Sequence, residues 1–413
     1  MDASQIVKAK STSSTEAAIG NDHILTEILR RLPIKSLFRS KLVSKHWFSI
    51  IADDPQLALR QNPDPSCVSG LFVYPSLVGY TVLSDFISLN EPGLDFLSLF
   101  NDKSPADDAL EVGVGYIMIP NLSGLIIQSS CNGLLCCSGY NEIDRRGGYH
   151  VINPTTKQFT TLPDSHPHDG FDGLNLAFDP SRSPFYKVVN VWKADDVPWT
   201  DPHDLYSVYR IEVYSSDARS WRTSSELFIV HVRNIGFRDG IFWNGALHWF
   251  SKRGDGYYFD LEQERLWRMP APPVPEGMTW YDRSLMHPLV ARGQLHALES
   301  YGSAGSQLDV YEMEEDYSGW FVKYHINLDP VAAAFPRMGQ MLARRRPDEA
   351  YWVLSLVREE KDEESFLVLH VPGEIIRFNL VDQSFSIIHD LDVNEASLRY
   401  FGACHYIESY ANV

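Results

Sequence analysis

Few residues in this chain stand together in the way that chemistry requires. His166-Pro167-His168-Asp169 is the tightest cluster of imidazoles and a carboxylate, groups that ligate metals or carry protons when geometry fixes them. The proline within it and Gly170 after it give a loop without fixed geometry. Cysteine pairs at zinc-site spacing are also missing. No Gly-x-Ser-x-Gly elbow and no His-Glu-x-x-His helix occurs. Gly113-Val114-Gly115 lacks the third glycine of a dinucleotide loop, and Gly302-Ser303-Ala304-Gly305-Ser306 lacks the lysine of a phosphate cradle. Glu359-Glu360-Lys361-Asp362-Glu363-Glu364 reads as a solvated loop. The expectation is a chain with no catalytic residues, no metal and no cofactor, whose work is recognition.

Charge and composition narrow the partners. Lys plus Arg number 36 against 54 Asp plus Glu, a net charge of −18 over 413 residues. So acidic a chain lacks the positive footprint of a nucleic-acid or acidic-membrane binder. No run of apolar residues is long enough to span a bilayer. Residues 1–20 are polar, without the apolar core of a secretory signal, and read as a disordered tail. The five cysteines are Cys67, Cys131, Cys136, Cys137 and Cys404. Their odd count and the adjacent Cys136-Cys137 pair suit a reducing compartment, cytoplasm and/or nucleus.

The elements fall into two textures. From Asn21 and Asp22, plausible N-caps, Ile24, Leu25, Ile28, Leu29 and Leu32 recur at helical spacing. Pro33 breaks that helix. Ile34, Leu37, Phe38, Leu42 and Val43 form a second apolar stretch, and Ser44 caps a third around Trp47, Phe48, Ile50 and Ile51. Three helices in so short a segment carry more apolar side chains than they can enclose, which marks a docking face or a cap on the rest of the chain. Trp47 is expected in the core of the triplet.

From about residue 67 onward, short apolar runs alternate with turn residues. The pattern repeats: a Gly-containing turn (Asn132-Gly133, Asn244-Gly245, Arg292-Gly293), apolar strands, a polar turn and a closing aromatic. The closing aromatics Phe159, Trp221, Trp267, Trp320 and Phe385 are spaced by 62, 46, 53 and 65 residues. Multi-strand repeats of this length are the signature of propeller blades, with a two-sheet sandwich as the rival. Residues 400–407 are expected to close the ring by pairing with the strand Gly70–Tyr74.

The order Ile24-Leu25, Ile28-Leu29, Leu32-Pro33, Leu37, Val43-Ser44-Lys45 and Trp47 resembles an F-box. Asn21-Asp22-His23 and Ser40-Lys41 depart from that family's usual opening and middle without touching the apolar register. Ser130-Cys131-Asn132-Gly133-Leu134-Leu135, Asn153-Pro154-Thr155-Thr156, Leu162-Pro163, Ala177-Phe178-Asp179-Pro180 and His405-Tyr406-Ile407-Glu408-Ser409 look like the plant F-box-associated domain. The repeated Gly-Gly doublets of kelch proteins are missing.

The resemblance implies a chain that is α+β by domain. A three-helix F-box at 21–62 precedes an all-β propeller-like domain at 67–413, with six blades, or seven. It also implies a substrate-recognition subunit of an SCF (Skp–cullin–F-box) ubiquitin ligase. Its partners are a Skp-type adaptor, through it the cullin–RING machinery, and an unidentified target protein. Ile24, Leu25, Ile28, Leu32, Pro33, Ile34, Leu37 and Val43 are the expected adaptor contacts. Loop aromatics Trp192, Trp199, His203, Tyr206, Trp280 and Tyr281 are the candidate target contacts. The alternatives are an enzymatic or carbohydrate-binding propeller with a helical cap, and an F-box scaffold acting outside a ligase.

Overall fold

The computed structural model describes residues 21–32, 37, 40, 43–54, 57, 68–75, 85–89, 121–164, 173–194, 206–231, 235–302, 305–345, 347–390, 400–409 and 411–413. The chain forms two compact units, 1–63 and 64–413.

In the first unit, helix α1 (Asp22–Arg31) starts at Asn21, whose side chain accepts from the backbone N–H groups of His23 and Ile24. Helix α2 (Lys45–Asp53) starts at Ser44, whose hydroxyl accepts from Trp47 N. Both caps satisfy N–H groups that a helix start leaves bare. Leu25, Leu29, Leu37, Ile51 and Leu57 form a fully buried core, and Leu32, Trp47 and Ile50 pack around it. Trp47 is half-buried against that core. Arg30 bridges to Asp54 at 2.8 Å, joining α1 to the end of α2.

The second unit is a six-bladed propeller. Blade 1 comprises β3 (Leu122–Cys131), β4 (Leu134–Asn141), β5 (Arg146–Asn153) and β6 (Gln158–Thr161). Blade 2 holds β7 (Gly173–Ala177), β8 (Lys187–Lys193), β9 (Tyr206–Ser215) and β10 (Ser220–His231). Blade 3 holds β11 (Ile241–Trp243), β12 (Ala246–Trp249), β13 (Gly256–Asp260) and β14 (Arg265–Met269). Blade 4 holds β15 (Arg283–Ala291), β16 (Gln294–Tyr301), β17 (Gln307–Met313) and β18 (Trp320–Asn327). Blade 5 holds β19 (Trp352–Val357), β20 (Phe366–Val371), β21 (Glu374–Asn379) and β22 (Phe385–Asp390). The sixth sheet is assembled from both ends of the unit: β23 (Tyr400–Tyr406) pairs with β1 (Gly70–Pro75), which pairs with β2 (Asp85–Ser88). The expected closure therefore forms, with Gly70 opposite Tyr406.

Alternation gives each blade two apolar faces. In β4, Leu134 and Cys136 join Leu174, Leu176 and Tyr214 of blade 2. Their neighbours Leu135 and Cys137 join Phe72, Cys404 and Tyr406 of blade 6. A single such sheet would leave one face wet, so stacking in a ring is the stable arrangement. Cys131, Cys136, Cys137 and Cys404 are buried free thiols, and burial raises Cys131, Cys136 and Cys404 to about 12. The closing aromatics fall within the outermost, fourth strand, not at the end of a third. There the indoles of Trp221 and Trp320 each donate to a proline carbonyl of the preceding blade, Pro163 and Pro270, at 2.8 Å.

Candidate functional site

On α1, two pairs at i and i+4 spacing lie on neighbouring faces, about 100° apart. Leu25 and Leu29 point inward, whereas Ile24 and Ile28 are 46% and 42% exposed. Val43 (62%) and Phe48 (53%) are also exposed. A shallow cavity of about 260 Å³ lies on the α1 surface between Ile24, Ile28 and the flanking His23, Glu27 and Arg31. Of the expected contacts, Leu25 and Leu37 are fully buried in the unit's own core. Leu32 is half-buried against that core. Ile24, Ile28 and Val43 remain as surface groups, and Pro33 and Ile34 lie outside the described residues. Phe48 was not singled out by sequence because its neighbour Trp47 accounts for the apolar demand of α2.

In the propeller the inner strands β3, β7, β11, β15, β19 and β23 contact one another in succession around the axis. Strand direction alternates outward, so each blade's first and third turns open on one face. The second turns and the blade-to-blade connections open on the other. Three first turns are tight: Asn132-Gly133, Asn244-Gly245 and Arg292-Gly293 hold positive φ at both residues, the type I′ geometry of two-residue hairpins, whereas the first turns of blades 2 and 5 run over residues 178–186 and 358–365. The opposite face carries the long connections. One contains the short helices α3 (Asp329–Ala334), α4 (Pro336–Ala343) and α5 (Pro347–Ala350). Another spans residues 270–282.

The loop aromatics divide. Tyr281, 76% exposed, is held under the Arg253 guanidinium, 4.3 Å from its ring centre. Trp280 is half-buried and covers Arg283 at 4.6 Å. Arg283 is itself buried, 3.0 Å from Glu299, whose other oxygen accepts from Tyr301 at 2.9 Å. Desolvation raises the Glu299 carboxyl to about 7, and the Arg283 charge and the Tyr301 hydrogen bond offset this only in part. The Asp282 side chain accepts from both the backbone and the hydroxyl of Thr279, so the segment bearing Trp280 and Tyr281 is tied down. Tyr206 opens β9 and is exposed, edge-on to His231 at 5.2 Å. Trp192 corrects the loop expectation: it lies inside β8, opposite Arg210, and is only 5% exposed. Trp199, His203 and the His166–Asp169 cluster lie outside the described residues. Among the described residues no three His, Cys, Asp or Glu side chains group to hold a metal.

Comparison with known proteins agrees with this architecture. Residues 21–57 match the F-box domain family, and residues 121–410 match the F-box associated beta propeller domain. An F-box protein of Arabidopsis thaliana is 34% identical over 425 residues, covering 98% of this chain and 94% of that one. A second Arabidopsis F-box protein is 27% identical over 277 residues, covering 62% of this chain and 66% of that one. A solved chain from a nidogen/laminin complex overlaps loosely, with a TM-score of 0.37 at 9% identity, covering 82% of this chain and 99% of that chain. The chain belongs to the family of F-box proteins, of the kind found in Arabidopsis, whose F-box is followed by an F-box-associated β-propeller.

Proposed function

We propose that this F-box protein is the substrate-recognition subunit of an SCF ubiquitin ligase. Its F-box docks on a Skp-type adaptor and its propeller selects a target protein. The observation that carries the docking half is the apolar surface left beside a formed core: Ile24, Ile28, Val43 and Phe48 are exposed while Leu25, Leu29, Leu37, Ile51 and Leu57 are buried. Exposed aliphatic and aromatic side chains beside a formed core are what a partner helix surface would cover. Target selection is assigned to the propeller face with the long connections, where Tyr281 is exposed and held by Arg253. The chain itself is non-catalytic in this reading. It accelerates ubiquitin transfer by holding target lysines close to a loaded conjugating enzyme, at raised effective concentration. The work takes place in the cytoplasm or nucleus. Co-purification with a Skp-type adaptor tests the reading: the chain should form a stoichiometric complex that Ile24→Asp with Ile28→Asp abolishes. A chain that never binds the adaptor rules the reading out.

A further inference from the structure

On the outer rim of the ring, blade 1 stops short. β6 pairs only with His150–Asn153 of β5, and Leu162 N gives one more hydrogen bond to the Tyr149 carbonyl. In an antiparallel ladder both backbone groups of alternate residues point to the same side. The next outward-pointing pair after Tyr149 therefore belongs to Gly147, and among the described residues no strand lies alongside it.

Two further observations coincide there. Neither Gly147 nor Gly148 has a φ that demands glycine. Among the described residues a Cβ would meet only the Gly139 carbonyl at 3.9 Å, or the Thr161 methyl at 4.0 Å. The fold thus has room for side chains that the sequence withholds, and a bare strand suits the close approach of a second backbone. A cavity of about 510 Å³ adjoins this edge, and Arg146 and Arg219 are among its walls. Neither arginine takes part in an ion pair among the described residues. Asp144 and Asp164 also line the space, so a polyanion gains nothing net, whereas one carboxylate reaching the guanidiniums does.

We propose that this rim cleft takes an extended peptide segment of a target protein. The segment is added as a strand on β5 and directs one aspartate or glutamate toward Arg146 and Arg219. The proposal deepens the receptor reading and depends on it for its biological role.

The test selects displayed random linear peptides on the full-length chain, then measures the enriched peptides by fluorescence anisotropy. Enriched peptides should carry an acidic residue. Their affinity should fall about tenfold or more on Arg219→Glu and on Gly147→Val, and on replacing the peptide acid by its amide. Valine suits a strand, so Gly147→Val should melt like the unaltered protein. Adaptor binding should persist in both variants, and its loss in the unaltered chain would count against the receptor reading and not against the cleft. Absence of enriched peptides, enrichment without an acidic preference, or affinities unmoved by both variants overturns the proposal.

Discussion

Asn153 should act as the latch of the ring, and Asn153→Ala is the sharpest perturbation of it. The side chain is fully buried. Its amide nitrogen donates to the carbonyls of Ser409 at 3.0 Å and Ala411 at 2.8 Å. Its oxygen accepts from the backbone of Thr155 at 3.0 Å and Thr156 at 3.2 Å. One side chain therefore ties the C-terminal tail beyond β23 to the turn after β5. Each neutral hydrogen bond contributes roughly 0.5–1.5 kcal/mol net, and stranded buried partners cost more. Loss of all four should cost about 2–5 kcal/mol. For a domain this large, at about 2 °C per kcal/mol, the melting temperature should fall by about 4–10 °C. Circular dichroism gives the melt, and carboxypeptidase digestion reports release of the tail. Gly133→Ala should release the same tail from the other side. Its φ is +85°, and a Cβ would sit 2.6 Å from the Ile407 carbonyl and closer still to the Ser409 Cβ. A melting curve and a digestion rate both unchanged in Asn153→Ala would refute the latch.

Four other outcomes are expected. Ile24→Asp with Ile28→Asp should weaken adaptor binding by about 100-fold or more, from lost burial of ~1 kcal/mol per half-exposed side chain and the cost of desolvating two charges, measured by calorimetry. Leu25→Ala should instead melt the helical unit, at ~2–5 kcal/mol for an emptied core site. Trp320→Phe removes the indole donor to Pro270 and should cost ~1 kcal/mol, read by urea denaturation. An unchanged midpoint would separate that contact from blade stacking. Burial lowers His248 to about 4, below the ordinary histidine value. The unfolded chain then binds more protons between pH 6.5 and 4, so stability is full above pH 6.5 and declines as pH drops toward 4. The contribution is on the order of 3 kcal/mol across that window. His248→Gln should cost stability at neutral pH, because the imidazole lies 2.8 Å from the Tyr317 hydroxyl and stacks on its ring, yet flatten the acid limb. An equally steep acid limb in the variant would refute the assignment.

The turns and outer strands were readable because their signals are local. Asn-Gly and Arg-Gly pairs specify two-residue hairpins, and a closing aromatic recurs once per unit, reaching the preceding blade at Trp221 and Trp320. Of the innermost strands, β23 is legible in the sequence, whereas β3 and β15 are not. β3 is bulged twice and is built largely from serine, glycine and glutamine among its apolar residues, while β15 is also bulged. Bulges break the period of two on which strand recognition relies, and β15 is only half-buried along most of its length. Blades thus read as three strands when they have four. Which side of α1 turns outward is hidden for a different reason. Ile24 with Ile28 and Leu25 with Leu29 are equivalent apolar pairs, and only the position of α2 decides which turns inward. Trp192 was read as a loop residue because proline and aspartate follow it closely, but pairing with β9 carries β8 to Lys193.

The two propeller faces differ in what they can do, and the cause is backbone geometry. Where a type I′ turn joins two strands, both central residues sit at positive φ, which favours asparagine and glycine, although Arg292 takes the first position in blade 4. Such turns present mostly backbone. Gly133 shows how fully that surface is used, since the tail runs where its side chain would be. On the opposite face the connections are long enough to carry structure of their own. The stretch of residues 328–351 folds into three short helices, and the Pro-rich stretch from Pro270 is pinned by Asp282 beneath Trp280 and Tyr281. Rigid positioning matters because an aromatic that is already fixed pays little further ordering entropy when a partner covers it. Arg253 over Tyr281 and Arg283 under Trp280 supply that rigidity from neighbouring blades. Removing Arg253 should therefore weaken target capture even where Arg253 itself touches no target atom, whereas shortening a type I′ turn should change folding and leave recognition alone.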